Sequence, residues 1–198
     1  MKKLLILLIV LFATLDNYGQ FTIGPKVGYS ASKLSTDFDS IVESVKHNFQ
    51  VGAFVRFGKK LYLQPEFYYS TSGGTLKIEG KDLQETIKMN NLGVPVLLGY
   101  SLINTKVLKF RIMAGPVANF ILNKTITASD LIEDPIMESD IKKIAWGLDL
   151  GAGVDVFFLA LDVRYEFGLN NIYDPQNGNN IKTMNSNMWI VSLGFKIL

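Results

Sequence analysis

Hydrophobic and polar positions alternate one by one along most of the chain after residue 20. In Leu159–Gly168 the odd positions are Leu159, Leu161, Val163, Tyr165 and Phe167, and the even ones are Ala160, Asp162, Arg164, Glu166 and Gly168. Just upstream, Trp146, Leu148, Leu150, Ala152, Val154 and Val156 share one face. Ala145, Gly147, Asp149, Gly151, Gly153 and Asp155 share the other. Successive strand side chains point to opposite faces, so a strict two-residue period marks β-strands. One face of this hairpin is wholly apolar, and the other carries only small or charged residues. That combination fits a membrane-spanning β-barrel, with lipid outside and a tight polar lumen inside.

The same period predicts strands over Phe21–Ser30, Phe49–Phe57, Leu61–Ser70, Asn91–Tyr100, Val107–Phe120, the two arms of Ala145–Gly168, and Asn187–Leu198. Their connections alternate long and short. Ala31–Asn48, Thr71–Ile87, Ile121–Lys143 and Asn170–Ser186 are long and polar, whereas Gly58-Lys59-Lys60, Ser101–Lys106 and Phe157-Phe158 are short. The predicted fold is therefore all-β, an eight-stranded antiparallel up-and-down transmembrane β-barrel. Its long loops would be extracellular, and its short turns and both termini periplasmic.

The aromatic residues fit this picture. At the loop ends of strands the outward phase carries Tyr29, Phe49, Tyr69, Phe120, Trp146, Phe167 and Trp189, and at the turn ends Phe21, Phe57, Tyr100 and Phe195. Two such belts correspond to the girdles that settle at lipid headgroups. Every glycine within a predicted strand falls on the lumen face, as a narrow eight-stranded interior requires. Pro25, Pro65, Pro95 and Pro116 oppose the pattern, because each removes a ladder donor from a sheet without edges. Local bulges, or stretches of strand beyond the lipid, are expected there.

The N-terminus adds a destination. Met1-Lys2-Lys3 is basic, Leu4–Ala13 is uninterruptedly apolar, and Gly19 precedes Gln20. This reads as a signal peptide over residues 1–19, cleaved to leave a barrel domain over 20–198. The apolar run is too short for a spanning helix. Apolar content of 48% does not announce a membrane protein, since only alternate strand residues meet lipid. The formal charge of +2 gives no footprint for nucleic acid. Absence of cysteine excludes disulfides and thiolate metal sites.

Three segments carry a family resemblance. Leu61-Tyr62-Leu63-Gln64-Pro65-Glu66-Phe67-Tyr68-Tyr69-Ser70, followed by Gly73-Gly74, resembles a strand of the PorT-like outer-membrane β-barrel family of Bacteroidetes. Leu92-Gly93-Val94-Pro95-Val96-Leu97-Leu98-Gly99-Tyr100 is similar to another of its strands, and Gly24-Pro25-Lys26-Val27-Gly28-Tyr29-Ser30 to its opening. The resemblance covers essentially the whole mature chain. It implies an outer-membrane barrel and makes the prolines a family habit; the name-giving member is linked to a protein secretion system. The chain departs from such barrels at its end, where Leu198 is out of the outward phase of Trp189, Val191, Leu193, Phe195 and Ile197.

Candidate chemistry lies mostly in the lumen. Lys26, Arg56, Lys109, Arg111, Arg164 and Lys196 stand there against Glu66, Asp149, Asp155, Asp162 and Glu166. Near balance of charge in a poorly hydrated interior implies ion pairing, and with it a rigid plug in place of an open pore. Loop acids at Asp37, Asp39 and Glu43, and at Asp130, Glu133, Asp134, Glu138 and Asp140, lack the spacing of a calcium loop. His47, the one histidine, has Ser44 and Asp39 nearby; base, nucleophile and orienter roles for these three would suit a lipid-modifying transferase. A solvated loop histidine is the simpler reading, and no catalytic, metal or cofactor site is expected. The expected function is that of a non-enzymatic outer-membrane barrel, structural or binding through its loops. The expected partners are outer-membrane lipid and envelope proteins. A part in a secretion or envelope-assembly machine is the alternative, followed by a lipid-active enzyme. A soluble lipocalin-like barrel would invert the faces, burying Trp146 and Phe167 and leaving Gly147, Gly151 and Gly153 in water.

Overall fold

The computed structural model describes residues 21–36, 41–44, 46–78, 84–105, 107–128, 142–170 and 184–197. They form β1 (Phe21–Thr36), β2 (Ile41–Ser44), β3 (Lys46–Gly58), β4 (Leu61–Ile78), β5 (Gln84–Asn104), β6 (Leu108–Ala128), β7 (Ile144–Val156), β8 (Leu159–Gly168) and β9 (Met184–Phe195). Setting β2 aside, each strand pairs antiparallel with the next, and β1 pairs with β9, so eight strands close into an up-and-down barrel. β2 extends the edge that β3 presents to β4, pairing Ile41 with Ile78 and Ser44 with Thr75.

Alternation in sequence becomes alternation in burial. Along β8, Ala160, Asp162, Arg164 and Glu166 are buried, while Leu161, Val163 and Phe167 are exposed. Trp146, Leu148 and Leu150 of β7 face out, whereas Asp149 and Asp155 face in. A soluble barrel built around an apolar interior would show the reverse.

Several strands run farther than the period predicts. β4 continues through Thr71–Ile78, β5 begins at Gln84, and β6 continues to Ala128, taking in much of what the sequence presents as loop. β1 likewise reaches Thr36. Where both faces of a sheet meet water, pairing persists but polarity no longer alternates, so periodicity marks only the part with one apolar face. Gly73 and Gly74 also lie in β4, paired with Lys88 and Ile87, beyond the strand that the period predicts.

Of the two expectations for Pro25, Pro65, Pro95 and Pro116, bulges are not what the pairing shows. The two register irregularities, at Asn90/Asn91 and Ser101/Ile103 of β5, contain no proline. Pairing instead lapses beside prolines and resumes in register. β3–β4 skips from Phe54↔Glu66 to Phe57↔Leu63 around Pro65. β4–β5 skips from Pro65↔Val96 to Tyr68↔Gly93 around Pro95, and β5–β6 from Pro95↔Val117 to Leu98↔Ala114 around Pro116. The proline ring suits an extended φ and lacks only the donor, so a bond is lost without an inserted residue.

Aromatic rings fill the space that glycines leave. Tyr62 and Tyr68 of β4 lie across from Gly99 and Gly93 of β5. A Cβ at Gly93 would overlap the hydroxyl end of the Tyr68 ring, and one at Gly99 that of the Tyr62 ring. Phe54, buried in the lumen, covers Gly194, where a Cβ would come 2.8 Å from its Cε1. The Gly93→Ala substitution is expected to displace Tyr68 and destabilise the barrel by about 1–3 kcal/mol. Urea unfolding of protein refolded into lipid vesicles measures this, and an unchanged midpoint would refute the close fit.

Candidate functional site: the ion-paired lumen

The charged residues of the lumen face meet in one chain of alternating sign. Beginning nearest the long loops, Arg164 Nη1 lies 3.2 Å from Asp149 Oδ2 and 3.0 Å from Glu66 Oε2. Glu66 Oε1 receives Lys26 Nζ at 2.7 Å, and Lys26 reaches on to Asp162 Oδ2 at 2.8 Å. Arg111 Nη2 then bridges Asp162 Oδ1 and Asp155 Oδ1, each at 2.6 Å. Asp155 Oδ2 takes Arg56 Nη1 at 2.7 Å and Lys196 Nζ at 3.4 Å. Six barrel strands contribute: β1, β3, β4, β6, β7 and β8. Few links join hydrogen-bonded neighbours, so the chain braces the barrel across its lumen.

Neutral groups complete the lining. Gln64 donates to Glu66 Oε1 at 2.6 Å and accepts from Arg56 Nε at 2.6 Å. Tyr62 accepts from Arg111 at 3.2 Å. The Arg56 guanidinium stands over the Phe54 and Tyr62 rings, 5.5 and 5.0 Å from their centroids. Such stacking suits a weakly hydrated, delocalised cation.

Glu166 departs from the expected pairing. Asn119 donates to it at 2.6 Å and Tyr68 at 3.3 Å, and among the described residues no cation stands within salt-bridge range. It borders a space of about 20 Å³ at the long-loop mouth, shared with Met89, Asn91 and Met188. That is room for roughly one water.

The apolar and aromatic part of the lumen is what the alternation conceals. Phe54, Tyr62, Leu97, Val117 and Ile190 are as deeply buried as the ions. Runs such as Phe67-Tyr68-Tyr69 and Val96-Leu97-Leu98 hide the period, because both phases are apolar. The available signal is the inward phase itself, with glycine standing opposite tyrosine.

The girdle residues lie on the outer wall, all exposed except half-buried Phe57. Tyr29 faces Phe49 across β1–β3 with centroids 5.6 Å apart, and Phe21 faces Phe57 at 5.5 Å. Trp189 packs against Tyr165 at 4.8 Å, and Tyr165 against Phe167 at 4.5 Å. The Lys109 side chain is half-buried at the short-turn mouth. His47 is exposed and stacks on Tyr29 with centroids 5.7 Å apart. Of its suggested partners, Asp39 and the Ser44 side chain lie outside the described residues, as do the Glu43 side chain and the loop acids Asp37, Asp130, Glu133, Asp134, Glu138 and Asp140.

Removing one member of a buried ion chain strands its partners in a medium that solvates them poorly. Arg164→Met leaves Asp149 without its cation and Glu66 with Lys26 alone. A loss of about 3–5 kcal/mol is expected, against less than about 0.5 kcal/mol for Lys60→Met on the exposed turn. Parallel urea titrations of the two variants check the difference.

Sequence comparison agrees with this architecture. A profile of the family described as "Outer membrane protein beta-barrel domain" matches residues 12–174. No curated protein matches the chain. Among solved structures, the outer membrane protein OprG from Pseudomonas aeruginosa is similar at 12% identity, covering 90% of this chain and 96% of that one with a TM-score of 0.52. Neisserial surface protein A is similar at 13% identity, covering 87% and 96% with a TM-score of 0.47. Ail, the attachment invasion locus protein of Yersinia pestis, was solved in complex with the heparin analogue sucrose octasulfate. It is 13% identical, covering 90% of this chain and 99% of that one with a TM-score of 0.46. At such identities the likeness concerns the fold alone. With the profile spanning most of the barrel, this chain belongs to the outer membrane protein beta-barrel domain family, and its place is the bacterial outer membrane.

Proposed function

We propose that this protein is a closed outer-membrane barrel that acts as a structural or binding protein through its long loops, not as a pore. The observation that carries the reading is the filled middle of the lumen. Arg111, Arg164, Tyr62, Phe54, Leu97 and Ile190 are all essentially without solvent contact, and paired ions run from the one arginine to the other through Asp162, Lys26 and Glu66. A charge network with so little water conducts poorly, because each ion step would break several short contacts. The barrel then serves as an anchor, and chemistry available to partners lies at its two mouths and on its loops.

In this reading residues 1–19 are a signal peptide that delivers the chain across the inner membrane. The long connections face outward, the short turns and both termini face the periplasm, and the two aromatic belts fix the depth in lipid. Membership of the PorT-like group of Bacteroidetes is supported by the Gln64-Pro65-Glu66 and Val94-Pro95-Val96 strands. A second reading, a part in a secretion or envelope-assembly complex, rests on that resemblance. Stoichiometric partners retained after mild detergent extraction would favour it.

Two measurements test the proposal. Purified protein in planar bilayers is expected to show no large, stable conductance; channel openings of porin size would overturn the closed-lumen reading. Because the chain has no cysteine, single-cysteine variants report orientation directly. An impermeant maleimide applied to intact cells is expected to label His47→Cys and spare Lys59→Cys. The opposite pattern would invert the proposed topology.

A further inference from the structure

The strand register lays the outward side chains in rows that cross the wall at right angles to the strands. One row passes through Tyr69, Val51, Val27, Leu193 and Leu161, of β4, β3, β1, β9 and β8 in turn. The next row toward the long loops passes through Phe49, Tyr29 and Val191. Between the two, Gly28, Gln50 and Ser192 hold the intermediate register and point inward, so only backbone lies at the bottom. The rows are two residues apart, about 6.5–7 Å. A trough of about 570 Å³ runs between them.

Short side chains hollow this part of the wall. Val27, Val51 and Val191 form the middle of the trough, whereas rings and leucines stand at its ends. The ring wall on the loop side is held in place. Phe49 packs edge-on against Tyr29 at 5.6 Å, and His47 stacks on Tyr29 at 5.7 Å. Among the described residues the lining carries no ionised side chain.

The trough also descends through the wall. On β4 its row meets Tyr69, a residue of the long-loop belt, and on β8 it meets Leu161, six residues short of the belt residue Phe167. Six residues are about 20 Å of strand, and the four steps from β4 to β8 span roughly 19 Å. A linear apolar ligand entering at Tyr69 and Phe49 therefore passes from the headgroup level into the apolar band. This depth rests on the belts as proposed above.

We propose that this trough is a specific site for one acyl chain of a membrane lipid, whose headgroup sits at the Tyr69 and Phe49 end. The outer wall of an outer-membrane barrel already meets lipid, and the trough is continuous with that surface. A saturated chain is linear and narrow enough to lie between the rows. There it gains contacts on both sides and beneath, whereas a chain on a convex wall is touched from one side only. The volume of about 570 Å³ falls within the roughly 300–1,000 Å³ of ligand sites. A second copy of the barrel suits the trough less well, because two convex walls meet along a line and leave a recess between them unfilled.

Full-length mature protein, delipidated in a non-ionic detergent, tests this by native mass spectrometry with added dipalmitoyl phosphatidylethanolamine. The wild type is expected to retain one lipid, saturably, when the micelle is stripped away. Val27→Trp fills the middle of the trough and should lower the bound fraction about tenfold. Val51→Phe, a milder filling, should lower it as well. Ile112→Trp, exposed on β6 outside the trough, should not. Heat-modifiable migration on gels verifies that each variant is folded. Separately, Trp146 and Trp189 should be quenched more by phospholipid brominated near the headgroup than near the chain end. That readout reports the belts alone, so misplaced belts and an empty trough give different results. The proposal is overturned if folded wild-type protein retains no lipid, if both filling variants bind as the wild type does, or if Ile112→Trp lowers retention as much as Val27→Trp. A lipid-free protein dimer that the filling variants abolish would assign the trough to a second copy and overturn it too.

Discussion

The constraint on which this barrel depends is the cost of holding charge in a narrow, dry lumen. Eight strands enclose just enough space for side chains, so an inward ion cannot keep its water. It must find an opposite charge across the barrel. The chain from Asp149 through Arg164, Glu66, Lys26, Asp162 and Arg111 to Asp155 meets that demand in consecutive contacts of 2.6–3.2 Å. Each internal member touches two of opposite sign, so the loss of one is felt by its neighbours on both sides. Hydrogen bonds in the wall hold adjacent strands together. The ion chain ties strands that lie opposite.

Glycine and tyrosine form the complementary half of this design. Two strands round the wall from β7, β5 contributes Gly93 and Gly99, over which the Tyr68 and Tyr62 rings lie. Tyr62 hydrogen-bonds Arg111 and Tyr68 reaches Glu166, so the same rings that fill the glycine gaps also place polar groups against the ions. Packing and electrostatics are satisfied by the same side chains.

The sequence makes much of this legible because lipid imposes a simple rule on one face. Inward Asp149, Asp155, Asp162 and Arg164 can be read off the hairpin, and so can the outward Trp146 and Trp189. Legibility ends where that rule stops. Beyond the apolar band, in Thr71–Ile78 or the far half of β6, pairing continues but polar and apolar residues no longer alternate, so it leaves no periodic mark. Phe54, Tyr62 and Leu97 are hidden because inward apolar residues look like outward ones. Which cation meets which carboxylate depends on strand stagger, a property of closure that no single strand encodes. Arg56 meets Asp155 from ninety-nine residues away. Glu166, counted among charges to be paired, is served instead by an amide and a phenol.

The lapses in pairing around Pro65, Pro95 and Pro116 fall on three adjoining seams, β3–β4, β4–β5 and β5–β6. Among the described residues β5, at the centre of that sector, supplies no ion to the axial chain. One part of the wall is thus knitted by continuous ladders and the part around β5 by interrupted ones, while the ion chain reaches that second part only through Arg56, Glu66 and Arg111 of the flanking strands. A hoop with unequal stiffness does not deform evenly. Lateral pressure from the bilayer would flatten it along one diameter, so the cross-section has a preferred direction in which to become oval and the barrel has, mechanically, a front and a back.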